Sequence, residues 1–141
     1  MNGFLLDTNC VSELVRIKPH PRVIEWMESV EEGLLYLSVL TLGEIQKGLA
    51  TLPQGKRRTR LEEWLDVELR ARFANRLLPV EEEVALRWGL LAALAHRQGK
   101  PLSAIDGLLA ATALSHDLTL VTRNISDLAA AQVPVLNPWE S

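Results

Sequence analysis

Short runs of β-forming residues alternate along this chain with longer stretches whose apolar residues recur at helical spacing, and no other feature narrows its possible folds as much. The runs are GFLL (3–6), LLYLSV (34–39), RLLPV (76–80), LTLVT (118–122) and VPVL (133–136). Between them, Val11, Leu14 and Val15 share one helix face, as do Val23, Trp26 and Met27. Leu42, Ile45, Leu49 and Leu52 form a third stripe and Leu61, Trp64, Leu65 and Leu69 a fourth, while residues 82–97 and 104–115 carry the same periodicity. Strand followed by helix, repeated, predicts an α/β fold: a central, mostly parallel sheet of four to five strands flanked by helices. Pro21 suits a first helical turn, Gly99 and Pro101 end the helix before them, and LPQGKRRTR (52–60) reads as an exposed turn or loop. No repeat, low-complexity tract or linker divides the sequence, so residues 1–141 are expected to form a single domain.

Composition excludes several classes. The single cysteine, Cys10, cannot form an intrachain disulfide, and no charged leader with an apolar core precedes Phe4, so a reducing cytoplasm is the expected setting. Even LLAALA (90–95) is bounded by Arg87 and His96, far short of the roughly 18 apolar residues of a membrane span. The net charge of −3 argues against wholesale nucleic-acid binding, yet the charge is uneven. Between residues 56 and 76, Lys56, Arg57, Arg58, Arg60, Arg70, Arg72 and Arg76 outnumber Glu62, Glu63, Asp66 and Glu68. That stretch is either a basic face or a solvated helix laced by opposite charges. Trp26, Trp64, Trp88 and Trp139 are read as packing residues.

Ligands of an open parallel sheet gather beyond the carboxyl ends of its strands. Here the first strand runs into Asp7, Thr8 and Asn9, and LTLVT runs into Thr122, Arg123 and Asn124, with Asp127 three residues on. Glu44 and Asp106 stand near helix starts. Each acid has a structural alternative. Asp7 can cap the helix that begins near Asn9. Ser103 and Asp106 have capping-box spacing, Glu44 can face water, and Asp127 can lie in a solvated turn. Asp106, however, opens a helix dense in leucine and alanine, where an unpartnered carboxylate is costly and a cation relieves it. His20, His96 and His116 are scattered and Cys10 is alone, which disfavours zinc and leaves clustered carboxylates, the hard-oxygen donors that suit Mg²⁺.

Four segments, DTN-x-x-SEL (7–14), LSVLTLGEIQKGL around Glu44, AIDGLLAATA around Asp106 and LVTRN (120–124), together resemble the signature segments of PIN-domain ribonucleases. The likeness is closest to the VapC toxins of toxin–antitoxin modules, in particular the FitB-like branch, whose chains also tend to close on an NPW tail such as Asn137-Pro138-Trp139. The resemblance implies a PIN fold, a Mg²⁺ or Mn²⁺ site and hydrolysis of RNA. By position, Asp7 and Asp106 match the acids most directly tied to the metal, and Glu44 the third acid of the pocket. Thr8, Asn9 and Thr122 match the polar residues that orient them. The fourth acid of the family falls either where this chain has Asn124 or near Asp127. Hydrolysis by an activated water predicts products with a 5′-phosphate and a 3′-hydroxyl. Arg123, Lys56, Arg57 and Arg58 are the candidate RNA contacts. The resemblance further implies a small antitoxin and a homodimer; apolar positions on the helices at 21–31 and 41–52 offer a groove for a partner helix.

Two rivals remain at this point. One is a PIN-like module that binds RNA or protein without hydrolysis, which Asn124 keeps open. The other is a Mg²⁺-dependent phosphoryl enzyme. Asp7-Thr8-Asn9 lacks the second acid of phosphatases of the haloacid dehalogenase type, and LLYLSV lacks the terminal Asp of a receiver domain.

Overall fold

The computed structural model describes residues 2–140. In chain order, β1 (Phe4–Leu6) leads into α1 (Thr8–Ser12), a 3-10 turn (Glu13–Val15) and α2 (Pro21–Ser29). A second strand, β2 (Leu35–Ser38), precedes α3 (Val39–Ala50). Helix α4 (Lys56–Glu63) continues through a π-helical stretch (Trp64–Leu69) into the short α5 (Arg70–Arg72) and β3 (Leu77–Leu78). Two long helices, α6 (Glu82–Arg97) and α7 (Ala104–Ser115), come before β4 (Thr119–Val121), a 3-10 turn (Ser126–Ala131) and β5 (Val135–Leu136). All five expected runs are strands, trimmed at their ends.

The sheet is parallel throughout, in the order β3-β2-β1-β4-β5. Its centre is β1, in which Leu5 pairs with Tyr36 on one side and Leu120 on the other. Alternate residues of a strand face opposite ways. Leu6, Leu35 and Leu37 accordingly enter one core with Val11, Val23, Ile45, Leu65 and Phe73. Leu5 and Leu120 enter the other with Leu109, Ala110 and Ala113 of α7. Each fully buried leucine contributes about 2 kcal/mol of apolar transfer. The edge-to-face pair of Phe4 and Trp26, with centroids 5.1 Å apart, closes the first core over α2. Much of the apolar stripes of α2 and α3 enters this core, where Val23, Met27, Leu42, Ile45 and Leu49 are buried.

Two glycines mark close approaches. A Cβ on Gly3 would lie 2.5 Å from the Leu34 carbonyl, and one on Gly107 would lie 2.8 Å from Cδ1 of Trp88, where α7 packs on α6. Helix α6 stops as expected at Gly99, whose φ of 71° suits a residue without a Cβ.

The stretch 52–60 departs from expectation, because the helix begins at Lys56 and only the residues before it form a loop. Local bonds explain the early start. The Thr59 amide and hydroxyl both donate to the Gly55 carbonyl at 3.1 Å, Arg58 reaches back to the Leu52 carbonyl at 3.1 Å, and Arg58 pairs with Glu62 one turn on. Leu61 and Trp64 then anchor the helix on the core.

Arg72 and Arg76 are structural. Arg72 grips Glu32 through two bonds of 3.0 Å, and Arg76 donates to the carbonyls of Glu32 (2.5 Å), Leu35 (2.6 Å) and Arg72 and to the Glu32 carboxylate (3.1 Å). These bonds hold the Glu32 carboxyl below the usual carboxylate range, Arg72 contributing most. Among the described residues no helix is long and apolar enough to cross a membrane.

Candidate metal centre

Parallel strands deliver their carboxyl ends to one edge of the sheet, and the acids collect there. Asp7 is the first residue beyond β1 and the N-cap of α1. Its extended backbone (φ −79°, ψ 170°) lets Oδ1 accept the Cys10 amide at 2.9 Å, while its own amide donates to the Val121 carbonyl at 3.1 Å. The Thr122 hydroxyl, at the end of β4, supplies a further hydrogen bond to the carboxylate. With 7% of its surface exposed, Asp7 has its carboxyl pushed above the usual range, chiefly by burial. The hydrogen bonds from Thr122 and Cys10 oppose that shift, and the negative charges of Asp106 and Glu44 add to it. Asp7 therefore caps a helix and also faces two other acids.

The other two carboxylates come from separate helices. Ser38 closes β2 and caps α3 by accepting the Leu40 amide at 3.0 Å, and the first turns of that helix carry Glu44 to the site, half-buried. The Thr8 hydroxyl donates to Oε1 of Glu44 in a short hydrogen bond that joins α1 to α3. Ser103 caps α7 by accepting the Asp106 amide at 3.2 Å. Only that half of the capping box forms: among the described residues the half-buried Asp106 carboxylate makes no hydrogen bond or ion pair.

The remaining sequence candidates divide. Asn9 is exposed on α1. The half-buried Asn124 donates its amide to the Thr122 hydroxyl at 3.1 Å, so it supports the residue that supports Asp7. Asp127 is exposed on the turn after β4 and is not among the charges that act on Asp7. Arg57 lines a cleft of about 220 Å³ with Thr8, Ser12 and Glu44, which places a cation beside the acids. Lys56 is exposed, and Arg58 is engaged with Leu52 and Glu62. Arg123 lies over the Trp139 ring, 4.1 Å from its centroid, and pairs with Glu13.

Glu13 is the acid that the sequence reading passed over, although it is only 1% exposed. A signal was present: it stands three residues after Cys10 and next to Leu14 on an apolar helical face, the same argument that singled out Asp106. Cys10 itself is filler. Burial and the charges of Asp7 and Glu13 push its thiol up, away from thiolate chemistry.

Asp7, Glu44 and Asp106 offer hard oxygen donors only. Among the described residues no three Asp, Glu, His or Cys side chains form a ready-made metal cage. One or two such carboxylates are a donor set that fits Mg²⁺, which keeps several waters and is otherwise held by substrate phosphates. A carboxylate raised by burial, with two like charges adding to the shift, is the arrangement that a divalent cation relieves.

Comparison with known proteins agrees with this fold. The PIN domain pattern matches residues 4–131. Toxin FitB of Neisseria gonorrhoeae is 42% identical over 135 residues, covering 96% of this chain and 97% of its own. A VapC ribonuclease of Sinorhizobium fredii is 38% identical over 136 residues, covering 96% and 97%. The crystal structure of FitAcB from Neisseria gonorrhoeae superposes with a TM-score of 0.93 at 40% identity, over 98% of this chain and 99% of that one. FitAB bound to a DNA fragment gives a TM-score of 0.91, also at 40% identity, over 96% and 95%. With the parallel sheet, the acids at its carboxyl edge and a pattern match over nearly the whole length, the chain belongs to the PIN-domain family, among its FitB- and VapC-like members.

Proposed function

We propose that the protein is a Mg²⁺-dependent endoribonuclease, Mn²⁺ being an alternative ion, and the toxin of a type II toxin–antitoxin module. One observation carries the reading: Asp7, Glu44 and Asp106, from three separate elements, act on one another's charge, and the Asp7 carboxyl is raised chiefly by its burial, with the charges of Asp106 and Glu44 adding to the shift. Asp7 and Asp106 would hold the ion. When bound, it supplies charge to the phosphate and acidity to a water at neutral pH. Thr122 and the Cys10 amide fix the Asp7 carboxylate in direction, and Asn124 braces Thr122. Glu44, bonded by Thr8, would bind the ion through a water or orient the attacking water and accept its proton. Asn124 or Asp127 completes the outer shell.

Arg57, which lines the cleft with Thr8 and Glu44, would meet a substrate phosphate, with the exposed Lys56 beside it. The toxin role rests on the relatives named Toxin FitB and VapC ribonuclease. A toxin that cuts RNA in its own cell, the cytoplasm on this reading, requires an antitoxin that covers the site. Leu86 and Leu90, one turn apart on α6 and 67% and 74% exposed, give a second copy of the chain an apolar face for a homodimer.

The test is incubation of the purified protein with total RNA, with and without Mg²⁺, alongside Asp106→Asn. Cleavage is expected only from the unsubstituted protein with Mg²⁺, and chelation should abolish it. Cleavage that survives both chelation and Asp106→Asn defeats the metal-nuclease reading. No cleavage by any form favours a binding module.

A further inference from the structure

Glu13 has no part in the chemistry just described, yet both its oxygens are occupied. Oε1 accepts the His20 amide at 2.9 Å. Oε2 accepts Nε1–H of Trp139 at 3.3 Å and lies 3.6 Å from the guanidinium nitrogens of both Arg123 and Arg16. Trp139 is held on every side. Arg123 covers its ring, Arg22 donates to its carbonyl at 3.4 Å, and its amide donates to Oδ1 of Asn137 at 2.9 Å. A carboxylate as buried as Glu13 is costly unless paired, and beside the nearby His20 amide and Arg16 two of its partners come from the end of β4 and the C-terminal turn.

Both anchors adjoin Asp7. Glu13 follows it by six residues, and Arg123 directly follows Thr122, whose hydroxyl bonds the Asp7 carboxylate. The elements between are weak by themselves. Helix α1 has five residues, too few to stand alone, and the β4 end is flanked by a strand of two residues, with Thr122 bonded to the Leu136 carbonyl. We infer that the C-terminal turn, residues 137–139, is a clasp that positions Asp7. Trp139, between the Glu13 carboxylate and the Arg123 guanidinium, ties the end of β4 to the helical segment that Asp7 begins. Glu13, Arg123 and Trp139 are positioning residues, and the catalytic consequence of the clasp rests on the ribonuclease reading of Asp7.

Amide hydrogen exchange tests it without requiring activity. Two amides report the site: Cys10, bonded to Asp7, and Asn124, bonded to Thr122. Leu37, bonded to the Arg76 carbonyl at the far side of the sheet, is the control. A chain ending at Asn137 is expected to exchange at Cys10 and Asn124 about tenfold faster, with Leu37 unchanged. If that chain does not fold, Trp139→Phe decides, since it keeps the ring beneath Arg123 and removes only the donor to Glu13. Unchanged exchange at the two site amides, or an equal rise at Leu37, overturns the clasp. Where the unsubstituted protein cuts RNA, kcat should fall in parallel with KM little changed. Where it does not, the ribonuclease reading fails and the exchange result alone judges the clasp.

Discussion

Asp7→Asn is expected to lower RNA cleavage by on the order of 10³-fold or more while making the metal-free protein more stable. The two effects share a cause. Asn is nearly isosteric and keeps an oxygen for the Cys10 amide, so the cap on α1 survives. What disappears is a negative charge buried beside Asp106 and Glu44. Because the folded-state pKa of Asp7 is raised, its contribution to stability is fully present below the unfolded value. That contribution is lost as the pH rises through the folded value, where ionisation works against folding. The gain from Asp7→Asn should therefore be absent in strong acid and largest near neutrality, on the order of 1 kcal/mol or about 3 °C in Tm for a domain of this size. Thermal melts of both proteins across pH check this. Added Mg²⁺ should raise the Tm of the unsubstituted protein and leave that of Asp7→Asn nearly unmoved. A variant that loses activity and stability together, at every pH, would mean that Asp7 is chiefly a structural cap.

Arg76→Ala should produce the largest loss of stability, about 2–3 kcal/mol. Arg76 is the clamp that brings β3 onto the sheet: its guanidinium satisfies three carbonyls from two segments, bonds Glu32 and lies over Phe73 with its carbon 5.1 Å from the ring centroid. Truncation leaves the carbonyls to whatever water can reach them and uncovers a fully buried phenylalanine. Arg76→Lys should recover less than half of the loss, because an ammonium cannot match a planar fork to carbonyls on two sides. Glu32→Gln should cost much less, since the Glu32 carboxylate is half-exposed and Arg76 keeps its carbonyls. Urea denaturation of the three variants gives the ranking, and equal losses for Arg76→Ala and Glu32→Gln would contradict it.

Periodicity carried most of the fold. The five β runs and the long helices at 82–97 and 104–115 stand where apolar spacing placed them, because burial on two faces of a sheet demands that pattern. Strand order was not legible, since nothing local records that β4, the fourth strand in sequence, pairs with β1. Local bonds at Gly55 and Arg58 turned a basic loop into a helix, an outcome that depends on Leu61 and Trp64 finding a core to rest on. In the candidate site, Asp7 and Asp106 were conspicuous as an acid at a strand end and an acid opening an apolar helix, whereas Glu44 stood out only through the resemblance to PIN-domain ribonucleases. The roles of Glu13 and Trp139 were not, because their contact spans 126 residues. Arg72 and Arg76, read in the sequence as part of either a basic face or a charge-laced solvated helix, are bound to a single carboxylate that periodicity gave no reason to pair with them.

On the proposed reading, water activated at the site of Asp7, Glu44 and Asp106 breaks the RNA backbone. End-group analysis of the products tests it most directly. A 5′-phosphate on one fragment and a 3′-hydroxyl on the other are expected; 2′,3′-cyclic phosphate ends would overturn this mechanism, because they require attack by the RNA's own 2′-hydroxyl.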